Sequence, residues 1–216
     1  ISKLKELFNH NEIENNKIDI QQRLRQLDEI NSLKGIEIDC DEEDIYWTIK
    51  TPNVHLVLNA RRGLTIKSLA FKSHNFEPII GTLPQGYFSS IELGADFYSG
   101  GVVIEMPGER IRITDLEWVT PTIQMIDSEL IISAEIPIND RVIRKKIIID
   151  TKSEQVRFSY DFPEWERPLG IVRVGFITLL PEWYTSSINI NCNNGGKNSE
   201  IFQLDNITNH GRAAST

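Results

Sequence analysis

Apolar and polar residues alternate along most of the chain, from Ile36 onward. Because successive side chains of a strand point to opposite faces of a sheet, this two-residue period predicts half-buried strands. The segments that show it are IEIDC, DIYWTIK, VHLVLN, LTIKSLAF, GVVIEM, LEWVTPTIQM, ELIISAEIPI, RVIRKKIIID, QVRFSYDF, IVRVGFITLL and SSININC. About a dozen strands in one domain predict a mainly β fold, either a sandwich or a barrel.

Three segments alternate cleanly enough to assign their faces. The predicted faces are Leu130, Ile132, Ala134, Ile136 and Ile138; Val156, Phe158, Tyr160 and Phe162; and Val172, Val174, Phe176, Thr178 and Leu180, with Arg173 and Gly175 opposite. Asn139 and Asp140 predict a two-residue hairpin turn after the first of these segments. The run from Arg144 to Lys146 puts charge on both sides of the next strand, which predicts an exposed or edge position with a solvated face.

Residues 1–34 follow a helical period instead, in SKLKELF and IDIQQRLRQLDEINSLKG. We expect two short helices, the second stopped by Gly35. Helices this short are marginal alone, so they must pack on the following domain or on an upstream one. We therefore expect a helical lead-in, residues 1–35, and a β-sandwich domain, residues 36–216, that belongs to a longer protein and is cut at its C-terminal end.

The charge balance narrows the class of partner. The 23 basic and 31 acidic residues give a net charge of -8, which repels a phosphate backbone, and no basic stripe offsets it. Nucleic acid is therefore not an expected partner, whereas neutral polyhydroxylated ligands remain compatible. No apolar run approaches the length of a membrane span, so no membrane partner is expected either. The compartment stays open, with the cytoplasm favoured.

Familiar catalytic and metal-binding signatures are absent from the sequence. Cys40 and Cys192 lie far apart, and buried thiols are favoured over a disulfide. The four histidines are scattered, so no metal site is expected. The sequence contains no GxSxG, P-loop or GxGxxG motif, which leaves serine hydrolase, nucleotidase and dinucleotide-binding functions without support. No cofactor is expected.

Four carboxylates lie close together in IELGADFYSGGVVIEMPGER, at Glu92, Asp96, Glu105 and Glu109. Glycosidic cleavage needs two carboxyl groups about 5–5.5 Å apart for retention, or about 6.5–9.5 Å apart for inversion. The spacing of these four residues in the sequence allows two of their carboxyl groups to lie at such a distance but does not require it. The glycines indicate irregular backbone at the rim of a sheet, where binding residues often lie, and Tyr98 would suit a sugar. A sugar contact and a structural acidic turn both stay open, with the structural turn favoured.

The segment NARRG, residues 59–63, predicts a tight turn because Gly63 can take a positive φ. Arg61 and Arg62 could bind a carboxylate or stack on a sugar, although solvated turn charges are the favoured alternative. Strand tryptophans more often belong to the core than to a binding site. Trp165, in the loop FPEWERPLG, is the one least expected to be fully buried. The candidate stacking platforms are Trp47, Trp118, Trp165 and Trp183.

Several phrases resemble one family. The motifs are LNARRGLTIKSLAF, GADFYSGGVVIEMPG, RVGFITLLPEWY and NGG...EIFQL...NHG. Together, over residues 54–212, they resemble the C-terminal β-sandwich of glycoside hydrolase family 57 and related α-mannosidase-like enzymes. The resemblance implies a large antiparallel two-sheet sandwich similar to galactose mutarotase, a supersandwich, with a short N-terminal helical segment. In that family the catalytic residues lie on an upstream barrel, so the resemblance implies none in this chain.

The resemblance also implies what the acidic segment does. It would be a rim loop that faces the barrel or a glycan and contributes polar contacts. Our candidates for substrate-binding or interdomain contact are Asp96, Tyr98 and Glu105 of this segment, together with Arg61. We therefore expect a non-catalytic, carbohydrate-associated module of a polysaccharide-active enzyme, whose partners are an oligo- or polysaccharide and the upstream catalytic domain of the same chain. The alternatives are an aldose mutarotase or epimerase, which needs a carboxylate base and a histidine acid, and a purely structural interdomain module. For a mutarotase or epimerase, either His55 or His74 would be the acid, and either Glu92 or Glu105 would be the base.

Overall fold

The protein folds mainly into antiparallel β-strands, as the alternation predicts. The computed structural model describes residues 25–33, 35–82, 94–166, 170–180, 188–192 and 198–204. In chain order, the strands of this described part are β1 (Glu37–Cys40), β2 (Tyr46–Lys50), β3 (Val54–Asn59), β4 (Thr65–Phe71), β5 (Pro78–Gly81), β6 (Val102–Met106), β7 (Ile111–Thr114), β8 (Thr122–Ile126), β9 (Glu129–Ile138), β10 (Arg141–Asp150), β11 (Val156–Asp161), β12 (Ile171–Val174), β13 (Ile188–Cys192) and β14 (Glu200–Leu204). A short helical segment, residues 25–31, precedes them.

The strands before residue 180 form three sheets. The first has the order β1-β2-β3-β4-β5, the second β11-β10-β9-β8, and the third β12-β6-β7. Every pairing is antiparallel. The chain divides into two compact units after Leu179. In the second unit, β13 and β14 pair as an antiparallel hairpin, with Ile188 opposite Leu204.

The first and second sheets share one apolar core, which gives this unit a sandwich-like arrangement. The first sheet contributes the buried alternate residues of β2 and β3, and the second sheet contributes those of β9 and β10. Ile30, from the helical segment 25–31, is also buried in this core. The described part of the lead-in therefore packs on the sheets, as an isolated short helix would need to do.

The predicted apolar faces are confirmed in the first two of the three segments, which form β9 and β11. All five apolar residues assigned to β9 are buried, and the apolar face of β11 packs against the core while its polar face is exposed. The hairpin between β9 and β10 turns at Asn139, whose φ is 55°. In the third segment, β12 ends at Val174 because Gly175 takes a φ of 64°. Val172 and Val174 are exposed there, and Arg173 is half-buried.

Three strands were not predicted: β5, β7 and β14. Each has only four or five residues, so the period repeats too few times to stand out. β5 also contains Pro78 and Gly81, which usually mark turns. The predicted strand LEWVTPTIQM is shorter than expected, since only Thr122–Ile126 is extended in a ladder.

The prediction for the basic run was wrong. β10 lies between β9 and β11 in its sheet, so it is not an edge strand. Arg144 and Lys146 are exposed on its outer face, but Lys145 points into the interior and its side chain is fully buried. The neighbouring charges suggested that the whole strand is solvated. Lys145 can be buried because a carboxylate from a distant part of the chain neutralises it.

That carboxylate is Asp115, which is also fully buried and whose Oδ2 lies 2.6 Å from Lys145 Nζ. Lys145 Nζ also donates to the carbonyl oxygens of Gly63 (2.6 Å) and Gly100 (2.9 Å). Asp115 Oδ1 accepts from the backbone N–H of Val102 (2.8 Å). Burial lowers the pKa of Lys145, and the charge of Asp115 opposes that effect. We call these five residues the buried clamp.

The turn at Gly63 is built as the sequence predicts. A 3₁₀ turn over Ala60–Arg62 leads into Gly63, whose φ is 59°. A Cβ atom at Gly63 would lie 1.8 Å from the carbonyl oxygen of Asp115. Glycine is therefore required here both for its conformation and for the close approach of the two backbones.

Replacing Lys145 with Met should destabilise the fold by about 3–5 kcal/mol, because it leaves the Asp115 carboxylate buried without its cation. Urea denaturation measures the loss. Lys146→Met is the matched control: its side chain is exposed on the same strand, so the free energy of unfolding should change by no more than about 0.5 kcal/mol. Equal midpoints for the two variants would contradict the role of the clamp.

Replacing Gly63 with Ala should cost at least about 2 kcal/mol, since it combines a positive φ with a backbone clash. The control is Gly108→Ala, because a Cβ at Gly108 meets nothing within 4 Å. Thermal unfolding of both variants, followed by circular dichroism, compares the two costs. A Gly63→Ala protein as stable as the Gly108→Ala protein would show that the turn relaxes freely.

Candidate functional site

The acidic segment forms part of a closed ring of four charges. Asp96 lies in the 3₁₀ turn Ala95–Phe97, Glu105 on β6, Arg112 on β7 and Arg173 on β12. We call these four residues the ion ring. Two of them, Asp96 and Glu105, were predicted as contact residues; the two arginines were not.

Each carboxylate oxygen of the ion ring faces a guanidinium. Asp96 Oδ2 lies 2.6 Å from Arg112 Nη2, and Asp96 Oδ1 lies 2.9 Å from Arg173 Nη2. Glu105 Oε1 lies 3.1 Å from Arg112 Nε, and Glu105 Oε2 lies 3.1 Å from Arg173 Nη1. Each arginine thus bridges both acids, and the ring has no net charge.

The register of the third sheet places these side chains together. Glu105 is opposite Arg112 across the hairpin, and Arg173 is opposite Val103 on the other side of β6. Because positions 103 and 105 share a face, Glu105 and both arginines project from the same side. Gly170 allows β12 to start close to β6, since a Cβ there would lie 2.0 Å from the carbonyl oxygen of Glu105.

The ion ring is suited to contact and not to acid catalysis. Its four side chains are between about a quarter and a half exposed. The hydrogen bonds that Arg173 donates to Glu105 and, with a smaller effect, to Asp96 raise the pKa of its guanidinium, so it stays charged. A glycosidase pair needs one carboxyl free to donate a proton and the other free to attack or to activate water. Here every oxygen already faces an arginine.

The other two predicted contact residues lie outside the ion ring. Tyr98 follows the turn that carries Asp96, and it is half-buried against the small cluster of Ala95, Val103 and Leu116. Arg61 is exposed in the 3₁₀ turn between β3 and β4. The structure thus brings Asp96 and Glu105 together, places Tyr98 next to their turn, and puts Arg61 at a different turn.

Sequence reasoning missed the arginines for identifiable reasons. Arg112 follows the Pro-Gly turn, at the position that a tight hairpin sets opposite Glu105. The segment MPGERIR therefore predicts that Arg112 lies opposite Glu105, provided that Pro107 and Gly108 are recognised as part of a hairpin turn. Arg173 interrupts an apolar strand, which marks it as unusual, but its partners lie 68 and 77 positions earlier. No local pattern identifies partners at that distance.

The residues considered for a mutarotase have other partners. His55 stacks on Phe76 at 3.9 Å between ring centroids, and burial lowers its pKa. His74 Nδ1 lies 2.9 Å from the Ser73 hydroxyl. Glu105 belongs to the ion ring, and Glu92 lies outside the described residues. The structure therefore provides no convergent acid and base among the described candidates.

The remaining candidates are placed as follows. Trp47 is buried, Trp165 is half-buried with its Nε1 donating to the Val142 carbonyl (2.8 Å), and Trp118 is 53% exposed. Trp183 lies outside the described residues.

Cys40 is a half-buried free thiol, and burial raises its pKa to about 11. In the part of the chain that the structure covers, no three His, Cys, Asp or Glu residues group as metal ligands, and no helix is long and apolar enough to cross a bilayer.

A double-mutant cycle over Asp96→Asn and Arg173→Gln should give a coupling energy of about 0.2–1 kcal/mol. The coupling should shrink in 1 M salt, where the Debye length falls to about 3 Å. Chemical denaturation of the four proteins measures it. The same cycle over Lys50 and Glu37, an exposed pair joined by one contact of 2.8 Å, serves as the comparison and should give the smaller value. A coupling of zero at low salt would show that the ring does not hold in solution.

Comparison with known proteins gives no independent support for any function. No protein-family model matches the chain, and no curated protein matches its sequence significantly.

Proposed function

We propose that this protein is a non-catalytic, carbohydrate-associated β-sandwich module of a glycoside hydrolase. The observation that supports it best is the ion ring, which holds two acids and two arginines in fixed positions at a sheet surface. The motif resemblance to family 57 enzymes points to the same class. In this proposal the catalytic carboxylates belong to a separate domain upstream.

The chemistry of the ring suits a neutral sugar. Carboxylate oxygens carry more lone pairs than the arginines use, and a guanidinium has five N–H donors. The exposed parts of Asp96, Glu105 and Arg173 are therefore suited to accept from, or donate to, a hydroxyl. Because the ring is uncharged overall, it has no preference for a charged ligand. Its rigidity would limit the side-chain entropy lost on binding.

A glycan array followed by calorimetry tests the proposal. The 216-residue chain should bind at least one neutral oligosaccharide, and Arg173→Gln should weaken that binding about tenfold or more, because it leaves both acids with a single cation. Lys50→Gln is the control: it removes an exposed ion pair elsewhere and should leave affinity unchanged. The proposal fails if no glycan binds, or if both variants bind as the unaltered chain does.

A second candidate is a structural interdomain module that binds no sugar. The observation that favours it is the exposure of the apolar residues of β12, which are 52% (Ile171), 44% (Val172) and 41% (Val174) exposed. An exposed apolar strand is typical of a surface covered by polypeptide. A blank glycan array, together with slower amide exchange over β12 in a longer product of the same reading frame, would favour this candidate.

A further inference from the structure

Two grooves lie at the surface of the second sheet, one on its outer face and one between the end of β9 and β7 of the third sheet. One, of about 400 Å³, is lined by Thr120, Thr122, Ser133, Glu135, Arg144 and Lys146. The other, of about 420 Å³, is lined by Arg112, Thr114, Glu117, Pro137 and Asn139. Their volumes fall in the range of small-molecule sites. Polar and apolar groups both line them, Ala134 in the first groove and Ile113 and Ile138 in the second among the apolar ones, whereas the core face of the same strands is apolar.

The connection between β7 and β8, residues 115–121, contributes to both grooves. Glu117 lines the second groove and Thr120 lines the first. Trp118 lies between them in the chain and is 53% exposed. The grooves therefore flank a segment that presents a large aromatic side chain to solvent.

The backbone that carries Trp118 is fixed. Glu117 accepts through its carbonyl oxygen from the N–H of Gly63 (2.8 Å), and the N–H of Val119 donates to the carbonyl oxygen of Ala60 (2.9 Å). The segment begins at Asp115, which is held in the buried clamp. The fold thus fixes the backbone on both sides of Trp118, and its side chain is exposed there although burying an indole is normally favourable.

This combination suits a neutral oligosaccharide. A pyranose ring offers an apolar face that can lie on an indole, while its hydroxyls need donors and acceptors on either side. The grooves supply hydroxyl, amide, carboxylate and guanidinium groups. The first groove carries one acid and two exposed bases, of which Arg144 is bonded to Glu135 at 2.9 Å, and the second groove carries one acid and one base. A strongly anionic polymer would meet an excess of only one exposed basic residue here.

We propose that the two grooves and Trp118 form an oligosaccharide-binding surface in which a pyranose ring stacks on the Trp118 indole. The inference rests on the proposed function and adds to it a second binding region. Arg112 lines one groove and also belongs to the ion ring, so one extended glycan could contact both.

The test uses the full 216-residue chain with maltohexaose, cellohexaose and a linear mannohexaose as probes. For a hexasaccharide that binds, Trp118→Ala should raise Kd about tenfold or more, as the loss of an aromatic anchor does. Trp118→Phe, which keeps a smaller ring, should recover part of the affinity. The sugar should also shift tryptophan emission in the unaltered chain and not in Trp118→Phe. Ile126→Ala is the matched control, since Ile126 is an exposed apolar residue of the same sheet.

The possible failures can be told apart. If a hexasaccharide binds the unaltered chain and Trp118→Ala binds it equally well, the stacking site is wrong and the proposed function stands. If no sugar on the array or in the probe set binds, the proposed function fails and the stacking site fails with it. Unfolding midpoints of Trp118→Ala and Ile126→Ala that match the unaltered chain exclude misfolding as the cause of any loss.

Discussion

The buried pair of Lys145 and Asp115 is the interaction on which the described architecture depends. Isolated charges this deep are strongly unfavourable, and even a pair is often no more stable than apolar residues of the same size. What the pair provides is position. It joins the centre of β10 to the turns at Gly63 and Gly100 and to the end of β7, which are elements far apart in the sequence.

Both surfaces proposed for function are attached to that pair. Gly100 lies three residues after the turn Ala95–Phe97 that carries Asp96, so the clamp holds the chain next to one side of the ion ring. Asp115 follows β7 and begins the segment that exposes Trp118. The two buried charges are energetically unfavourable, but they hold the segments that carry these surface groups in place. Buried polar groups have this positioning role in some other proteins as well.

The acidic segment shows why carboxylates alone do not establish catalysis. Asp96 and Glu105 are brought together, as acid catalysis would require, but the same register brings Arg112 and Arg173 between them. Four alternating charges satisfy one another and leave no acid free to transfer a proton. Such a group can present hydrogen-bonding positions to a ligand or a neighbouring domain. The presence of Arg112 and Arg173 beside Asp96 and Glu105 is what distinguishes this group from a catalytic pair of acids.

The sequence by itself determined the mainly β fold, the buried face of β9, the turn at Asn139 and the glycine turn at Gly63, because these features follow from local backbone geometry and from the period of apolar residues; that period left both a sandwich and a barrel open. Tertiary structure decided the rest. Lys145 looked solvent-exposed because nothing near it in sequence neutralises it, and its partner is 30 positions earlier. The arginines of the ion ring and the exposure of Trp118 likewise depend on contacts between distant segments, which a local pattern does not encode.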